Sequence, residues 1–197
     1  MPREIAVTFD YRCPFARNGH EAMVNAVRAG ALTDVEWRYL SFSLDQVHVE
    51  EGEAPVWDRP ADEWGTGVLA LLYGIAVRDH FPDQFLDAHL ALFAARHDHG
   101  KKLEEEAVLR EAVASAGLDP DAVAEEVWSG RPLKTLAAEH TEAVDRWGAF
   151  GVPTYLEGDT GAFIRFMERG HVDDLVRAVD LLRWDNLNEF KRPKIPR

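Results

Sequence analysis

Continuous and alternating apolar stretches at the start of the chain predict two strands that flank one helix. Residues 4–9 are apolar and β-branched, which is typical of a buried strand. A helical stretch runs from Pro14 to about residue 29, and Gly30 is suited to end it. Residues 35–44 alternate between apolar and polar side chains and predict a second strand. This order favours a βαβ unit with parallel strands.

The middle of the chain carries only helical signals. Residues 47–60 are polar and include Pro55 and Pro60, which is typical of a linker or loop. Apolar residues at helical spacing then continue as far as Trp147. They predict five helices, at residues 66–79, 83–97, 103–116, 120–130 and 133–147.

Strand signals return at the sequence GVPTYLEGD. Residues 152–156 predict a strand, 157–161 a turn and 162–167 the hairpin partner. Residues 172–183 predict a last helix with acidic residues in its first turn. The basic, proline-rich tail at 191–197 is expected to be loosely ordered.

These elements predict an α/β protein whose βαβ and ββα halves form one sheet. The helical block between the two halves is then an insertion. We place the sheet domain at residues 1–55 and 148–197, and the inserted all-helical domain at residues 56–147.

The charge and apolar content of the chain limit the classes of partner and the compartment that we expect. The chain has 35 acidic residues against 22 Lys and Arg, a formal net charge of −13, which argues against nucleic acids and anionic membranes. No apolar stretch is long enough for a transmembrane helix. Residues 1–10 lack the apolar run of a signal peptide, so we expect a cytoplasmic protein.

The only cysteine of the chain, Cys13, directly precedes Pro14. Proline favours an extended residue before it and suits the first helical position, so Cys13 is predicted to be the N-cap. Free amides and the helix dipole at that position stabilise a thiolate, so we expect a lowered pKa. Arg12 would add a positive charge if its side chain turned towards the sulfur. The alternative is a small, buried, unreactive cysteine.

The segment FDYRCPFA, together with a distant GVPT, resembles the DsbA-like branch of the thioredoxin superfamily. The resemblance covers nearly the whole chain and implies a thioredoxin fold with a helical insertion. It implies that Cys13 is the nucleophile and that Pro153 is a cis-proline facing it, flanked by Val152 and Thr154. In length, C-terminal tail and lack of a signal, the chain is most similar to cytosolic actinobacterial members, which include mycothiol-dependent nitroreductases.

We predict that substrate binds along these two segments. The candidate substrate-binding residues are Tyr11, Arg12, Pro14, Phe15, Val152, Pro153 and Thr154. For Tyr11, a packing role is an equal alternative. The backbone of Val152 is a candidate to pair with a bound peptide or thiol as an added strand.

The sequence departs from the family at Ala16, where the resemblance implies a second cysteine. A dithiol cycle within one chain is therefore excluded, and an outside thiol must resolve any mixed disulfide. We expect a thiol-disulfide oxidoreductase with Cys13 as its single nucleophile and with mycothiol or glutathione as cosubstrate. One alternative is a thiol-dependent isomerase or transferase similar to kappa-class glutathione transferases and 2-hydroxychromene-2-carboxylate isomerases. The other is a redox-inactive binding protein.

The remaining polar signals are weaker. His97, Asp98 and His99 suggest a metal site, but no third ligand is evident, so no metal and no tightly bound cofactor are predicted. His20 lies about 10 Å along the helix from Cys13, too far to act as its base, and is expected at the surface or in a groove. His140 is expected on a solvated helix face. A homodimer is a further expectation.

Overall fold

The computed structural model describes residues 2–187 and contains one four-stranded mixed sheet. Its strands are β1 (Arg3–Phe9), β2 (Val35–Ser41), β3 (Thr154–Glu157) and β4 (Thr160–Phe163). They lie in the order β2-β1-β3-β4. β1 pairs in parallel with β2 and antiparallel with β3, and β3 and β4 form an antiparallel hairpin. The two halves of the chain thus share one sheet, as the sequence predicts.

Helices connect β1 to β2 and β2 to β3, and a last helix follows β4. They are α1 (Pro14–Ala29), α2 (Leu44–Val47), α3 (Val68–His80), α4 (Phe85–His97), α5 (Glu106–Ser115), α6 (Pro120–Trp128), α7 (Arg131–Trp147) and α8 (Val172–Leu181). Helices α3 to α7 lie between β2 and β3 in the chain. Short 3-10 turns occur at Val56–Asp58, Ala61–Glu63 and Pro82–Gln84. The predicted domain boundaries stay a prediction.

Period-two alternation in β1 separates two layers of packing. Ile5 and Val7 pack with α1 and α8, whereas Ala6 packs on the other face with Leu156 and Trp147. At the end of the strand, Phe9 joins the large core made by the helical segment. The end of β1 therefore connects the sheet to the helices directly before Cys13.

Several predicted element boundaries differ from the structure, and two strands end three or four residues earlier than predicted. β2 ends at Ser41, because the Ser43 hydroxyl accepts a hydrogen bond from the Gln46 amide at 3.1 Å and caps α2. The second hairpin strand ends at Phe163 rather than residue 167, because a two-residue turn at Gly158 and Asp159 closes the hairpin early. The predicted loose tail lies outside the described residues. Within residues 2–187, no helix combines the length and the apolar character needed to cross a membrane.

Candidate functional site

Cys13 begins helix α1. Its backbone is extended, with φ −88° and ψ 118°, and Pro14 occupies the start of the helix. The Ala16 amide donates a hydrogen bond to Cys13 Sγ at 3.4 Å. The N-cap position predicted from the Cys-Pro pair is confirmed, and the side chain is partly exposed.

The GVPT segment lies directly against this cysteine. The Val152–Pro153 peptide bond is cis, as the resemblance implies, and the Cys13 thiol donates a hydrogen bond to the Val152 carbonyl oxygen at 3.3 Å. The Thr154 amide donates to the Thr8 hydroxyl at 2.8 Å, and the Thr154 hydroxyl donates to the Gly151 carbonyl at 2.7 Å. The first of these bonds fixes the segment to β1, and the second lies within the segment. Two segments about 140 residues apart in the chain therefore form one site.

The pKa of Cys13 moves in the direction opposite to the sequence prediction. Burial raises the pKa of the Cys13 thiol above its usual value, while the amides of Ala16 and Phe15 oppose the shift. The Asp10 carboxylate raises this pKa further, and the Arg165 guanidinium lowers it. Desolvation of a thiolate outweighs the helix start here, so the thiol form predominates at neutral pH.

Arg12 does not supply the expected charge at the sulfur. Its guanidinium lies 2.7 Å from an Asp45 carboxylate oxygen and 3.5 Å from Asp10 Oδ1. A Cβ on Gly67 would lie 2.6 Å from Arg12 Nε, so the absence of a side chain at Gly67 leaves room for the guanidinium. Asp10 is fully buried and accepts the amides of Arg12 and Leu44 at 2.8 and 2.9 Å. Arg12 thus anchors the loop before Cys13 to the starts of α2 and α3.

Tyr11 packs in the core, which is the alternative that the sequence left open for it. Its side chain is fully buried, and its hydroxyl lies 2.8 Å from His89 Nδ1. His89 Nε2 lies 3.0 Å from His20 Nδ1, and His20 Nε2 lies 3.2 Å from the Thr8 carbonyl. Because a carbonyl only accepts, His20 donates to Thr8, His89 donates to His20 and Tyr11 donates to His89. The predicted surface or groove position of His20 is therefore wrong.

Burial keeps this chain of hydrogen bonds neutral. Desolvation lowers the pKa of His20 to about 4 and holds the pKa of His89 well below its usual value. His140 is buried too, and its Nδ1 accepts the Ser43 amide at 3.2 Å. Burial lowers the pKa of His140 to about 4. The expected solvated position of His140 is wrong because its helix, α7, packs against α3 and β2.

Aromatic side chains lie on or beside the two segments that meet at Cys13. Pro14 is exposed and Phe15 is partly buried in the first turn of α1. The Phe150 and Phe163 ring centres are 5.0 Å apart, and the Phe163 ring would lie 3.4 Å from a Cβ on Gly151. Arg165 lies over Phe15 and Phe163. Sequence analysis missed Phe150, Phe163 and Arg165, and only the position of Phe150 just before GVPT could have pointed to it.

His97 and Asp98, two of the residues that suggested a metal site, have partners within the protein. His97 Nε2 lies 3.0 Å from the Tyr11 carbonyl oxygen, and Asp98 pairs with Arg17 and Arg169.

A different group of three side chains in the described part of the chain lies close enough together to hold one metal ion: Glu168, His171 and Asp174. It lies on the surface, and Asp174 already contacts His171 and Arg177.

Comparison with known proteins bears on this site as a whole. The profile of the DSBA-like thioredoxin domain matches residues 4–180. The chain belongs to the DSBA-like thioredoxin domain family. This DSBA-like fold is that of thiol-disulfide oxidoreductases, and it brings Cys13 and Pro153 together. No curated protein matches the chain.

Solved structures share the DSBA-like fold. DsbA from Pseudomonas aeruginosa matches with a TM-score of 0.64 at 18% identity, over 93% of this chain and 84% of that one. BdbD from Bacillus subtilis matches with a TM-score of 0.63 at 15% identity, over 92% and 87%. A probable DsbA oxidoreductase from Streptomyces coelicolor matches with a TM-score of 0.62 at 17% identity, over 96% and 93%. At these identities the likeness concerns the fold alone.

Proposed function

We propose that this protein is a thiol-disulfide oxidoreductase that works through Cys13 alone and relies on a low-molecular-weight thiol for the second step. The observation that supports it is the position of the sulfur. Cys13 Sγ lies between the Ala16 amide and the Val152 carbonyl, and it stays partly open to solvent. A disulfide approaching from the solvent side meets the sulfur at the start of α1, beside the cis-proline.

The first step is an exchange of one disulfide for another. Deprotonated Cys13 attacks a substrate disulfide, the substrate S–S bond breaks, and a Cys13 mixed disulfide forms while the other half leaves as a thiolate. The amides of Ala16 and Phe15 stabilise the Cys13 thiolate. The leaving thiolate takes its proton from solvent.

The second step needs a thiol from outside, because Ala16 stands where the family resemblance implies a second cysteine. The incoming thiolate attacks the mixed disulfide and releases Cys13, and a new small disulfide leaves. Over the cycle, one disulfide and one thiol become another disulfide and another thiol, and Cys13 returns to its starting oxidation state. We propose mycothiol or glutathione as this thiol and a cytoplasmic setting for the reaction, on the resemblance of the sequence to cytosolic actinobacterial proteins.

Intact-mass spectrometry tests both steps. The protein is treated with bis(hydroxyethyl) disulfide and then with glutathione. We expect one adduct on the wild-type protein, its release by glutathione, and catalytic turnover of the disulfide. Cys13→Ser should form no adduct and show no turnover. An active Cys13→Ser protein would overturn the proposal, and a thiol that forms no adduct would favour the redox-inactive binding protein.

A thiol-dependent isomerase or transferase is a second candidate, and one observation favours it. The Cys13 pKa is raised and its S–H already acts as a hydrogen-bond donor, to Val152. Such a group is suited to donating to the thiolate of a bound cofactor. In that case Cys13→Ser should retain activity with added glutathione or mycothiol, because serine also donates a hydrogen bond.

A further inference from the structure

A cation over the Phe15 ring, in the helical turn that follows Cys13, has no acidic partner among residues 2–187. The guanidinium carbon of Arg165 lies 5.1 Å from the Phe15 ring centre and 5.9 Å from the Phe163 ring centre. The Arg165 side chain is exposed, and within residues 2–187 no hydrogen bond or ion pair engages it. Its charge acts on Cys13, since it lowers the pKa of the thiol.

The neighbouring arginines differ from Arg165 in this respect. Arg12 pairs with Asp45, and both Arg17 and Arg169 pair with Asp98. In a chain with 35 acidic and 22 basic residues, an exposed guanidinium that no carboxylate of the described residues pairs with, close enough to Cys13 to lower the pKa of its thiol, is unusual.

Arg165 lies over two aromatic rings from different elements. Phe15 belongs to the first turn of α1 and Phe163 ends β4. A cation–π contact uses the charge of the guanidinium but none of its N–H donors, so these remain able to bind an anion. A guanidinium binds a carboxylate with two parallel hydrogen bonds, which gives direction as well as attraction.

We infer that Arg165 selects thiols and disulfides that carry a carboxylate, and binds that carboxylate while the sulfur atoms react at Cys13. The inference deepens the proposed function and rests on it. It favours glutathione, which carries carboxylates, over mycothiol, a sugar-linked thiol that carries none.

Three symmetrical disulfides of equal chain length test the inference. Dithiodipropionate is anionic, bis(hydroxyethyl) disulfide is neutral and cystamine is cationic. The rate of mixed-disulfide formation at Cys13 is measured for each, and the anionic-to-neutral ratio is the readout, because it cancels any effect of a substitution on the thiol pKa. We expect Arg165→Gln to lower this ratio about three- to tenfold. Arg165→Glu should reverse the preference towards cystamine.

Arg96→Gln is the matched control, since Arg96 is another exposed arginine with no ion pair in the described chain and does not affect the Cys13 pKa. It should leave the ratio unchanged. Added salt should lower the wild-type ratio towards that of Arg165→Gln. If Cys13 reacts with all three disulfides and Arg165→Gln keeps the wild-type ratio, the inference is wrong while the proposed function stands. If Cys13 reacts with none of them, both fail.

Discussion

At the residue scale, the surroundings of Cys13 act on its proton in opposite directions. The start of α1 offers amides that favour the thiolate, whereas burial and Asp10 favour the thiol. Burial is the largest of these effects, so the pKa rises. The same thiol is a hydrogen-bond donor to Val152. Reactivity at Cys13 is therefore governed by how much of the thiol loses its proton at a given pH.

This raised pKa predicts a steep pH dependence of alkylation. The rate of Cys13 modification by iodoacetamide should increase about tenfold per pH unit through neutrality, with a midpoint above the usual cysteine value of about 8.5. The urea-unfolded protein, which has the same single thiol, is the control and should show the usual midpoint. A midpoint below that of the unfolded chain would mean that the helix start outweighs burial.

Two buried tyrosines predict opposite responses to the loss of a hydroxyl. Among the described residues the Tyr155 hydroxyl has no hydrogen-bond partner, whereas the Tyr11 hydroxyl bonds to His89. Tyr155→Phe should leave the free energy of unfolding unchanged or raise it by up to about 1 kcal/mol. Tyr11→Phe should lower it by about 1–3 kcal/mol, because His89 loses its partner. Urea unfolding measures both, and equal losses would contradict this account.

At the scale of elements, the site is a junction between the first turn of α1 and the segment before β3. Pro14 places Cys13 at the N-cap, and the cis peptide bond before Pro153 brings the Val152 carbonyl to the sulfur. The first turn of α1 also carries Ala16, whose side chain is fully buried. This turn thus keeps the N-cap geometry at Cys13 but carries alanine where the family resemblance implies a second cysteine.

Introducing a second thiol at position 16 should let the protein resolve its own mixed disulfide without an outside thiol. Residues three apart at a helix start have Cα atoms about 5 Å apart, within the range of a disulfide. Ala16→Cys should therefore release a Cys13 mixed disulfide without added glutathione, and intact-mass spectrometry would follow the loss of the adduct. Ala26→Cys, a buried alanine near the far end of α1, is the control and should keep the adduct. An adduct of equal lifetime in both variants would exclude this geometry.

At the scale of the whole molecule, the sheet and the helical segment are joined by buried polar groups. Tyr11, His89 and His20 connect the end of β1 to α4 and α1, and His140 connects α7 to the start of α2. All three histidines are neutral in the folded protein because desolvation lowers their pKa values. We therefore expect the packing of the helical segment against the sheet to depend on pH.

Mild acid should destabilise the fold. An unfolded histidine takes up a proton near pH 6.5, whereas His20 and His140 resist it down to about pH 4. The unfolded state binds more protons in that window, so stability is lost as the pH falls through it. The expected loss is about 2 kcal/mol per such histidine between pH 7 and pH 5, measured by urea unfolding. His140→Asn should flatten the dependence, and His99→Gln, at an exposed histidine, should not.

The sequence by itself determined the order of the four strands and of the helices other than α2. Local signals were sufficient for these features, because Pro14 acts on its immediate neighbours and β-branched or alternating apolar residues select strands within a few positions. The same local rule placed Cys13 at the N-cap. The Cys-Pro and GVPT segments together also led to the cis bond before Pro153 through the family resemblance.

The tertiary structure alone decided the chemistry around these residues. The raised pKa of Cys13 depends on how completely distant segments remove water from the sulfur, and no local pattern encodes that. Tyr11 and His20 became core residues because His89, far away in the chain, supplied a hydrogen-bond partner. Arg165 came to lie beside Cys13 because the sheet brings the end of β4 next to α1. Desolvation and charge act through space, whereas periodicity acts along the chain.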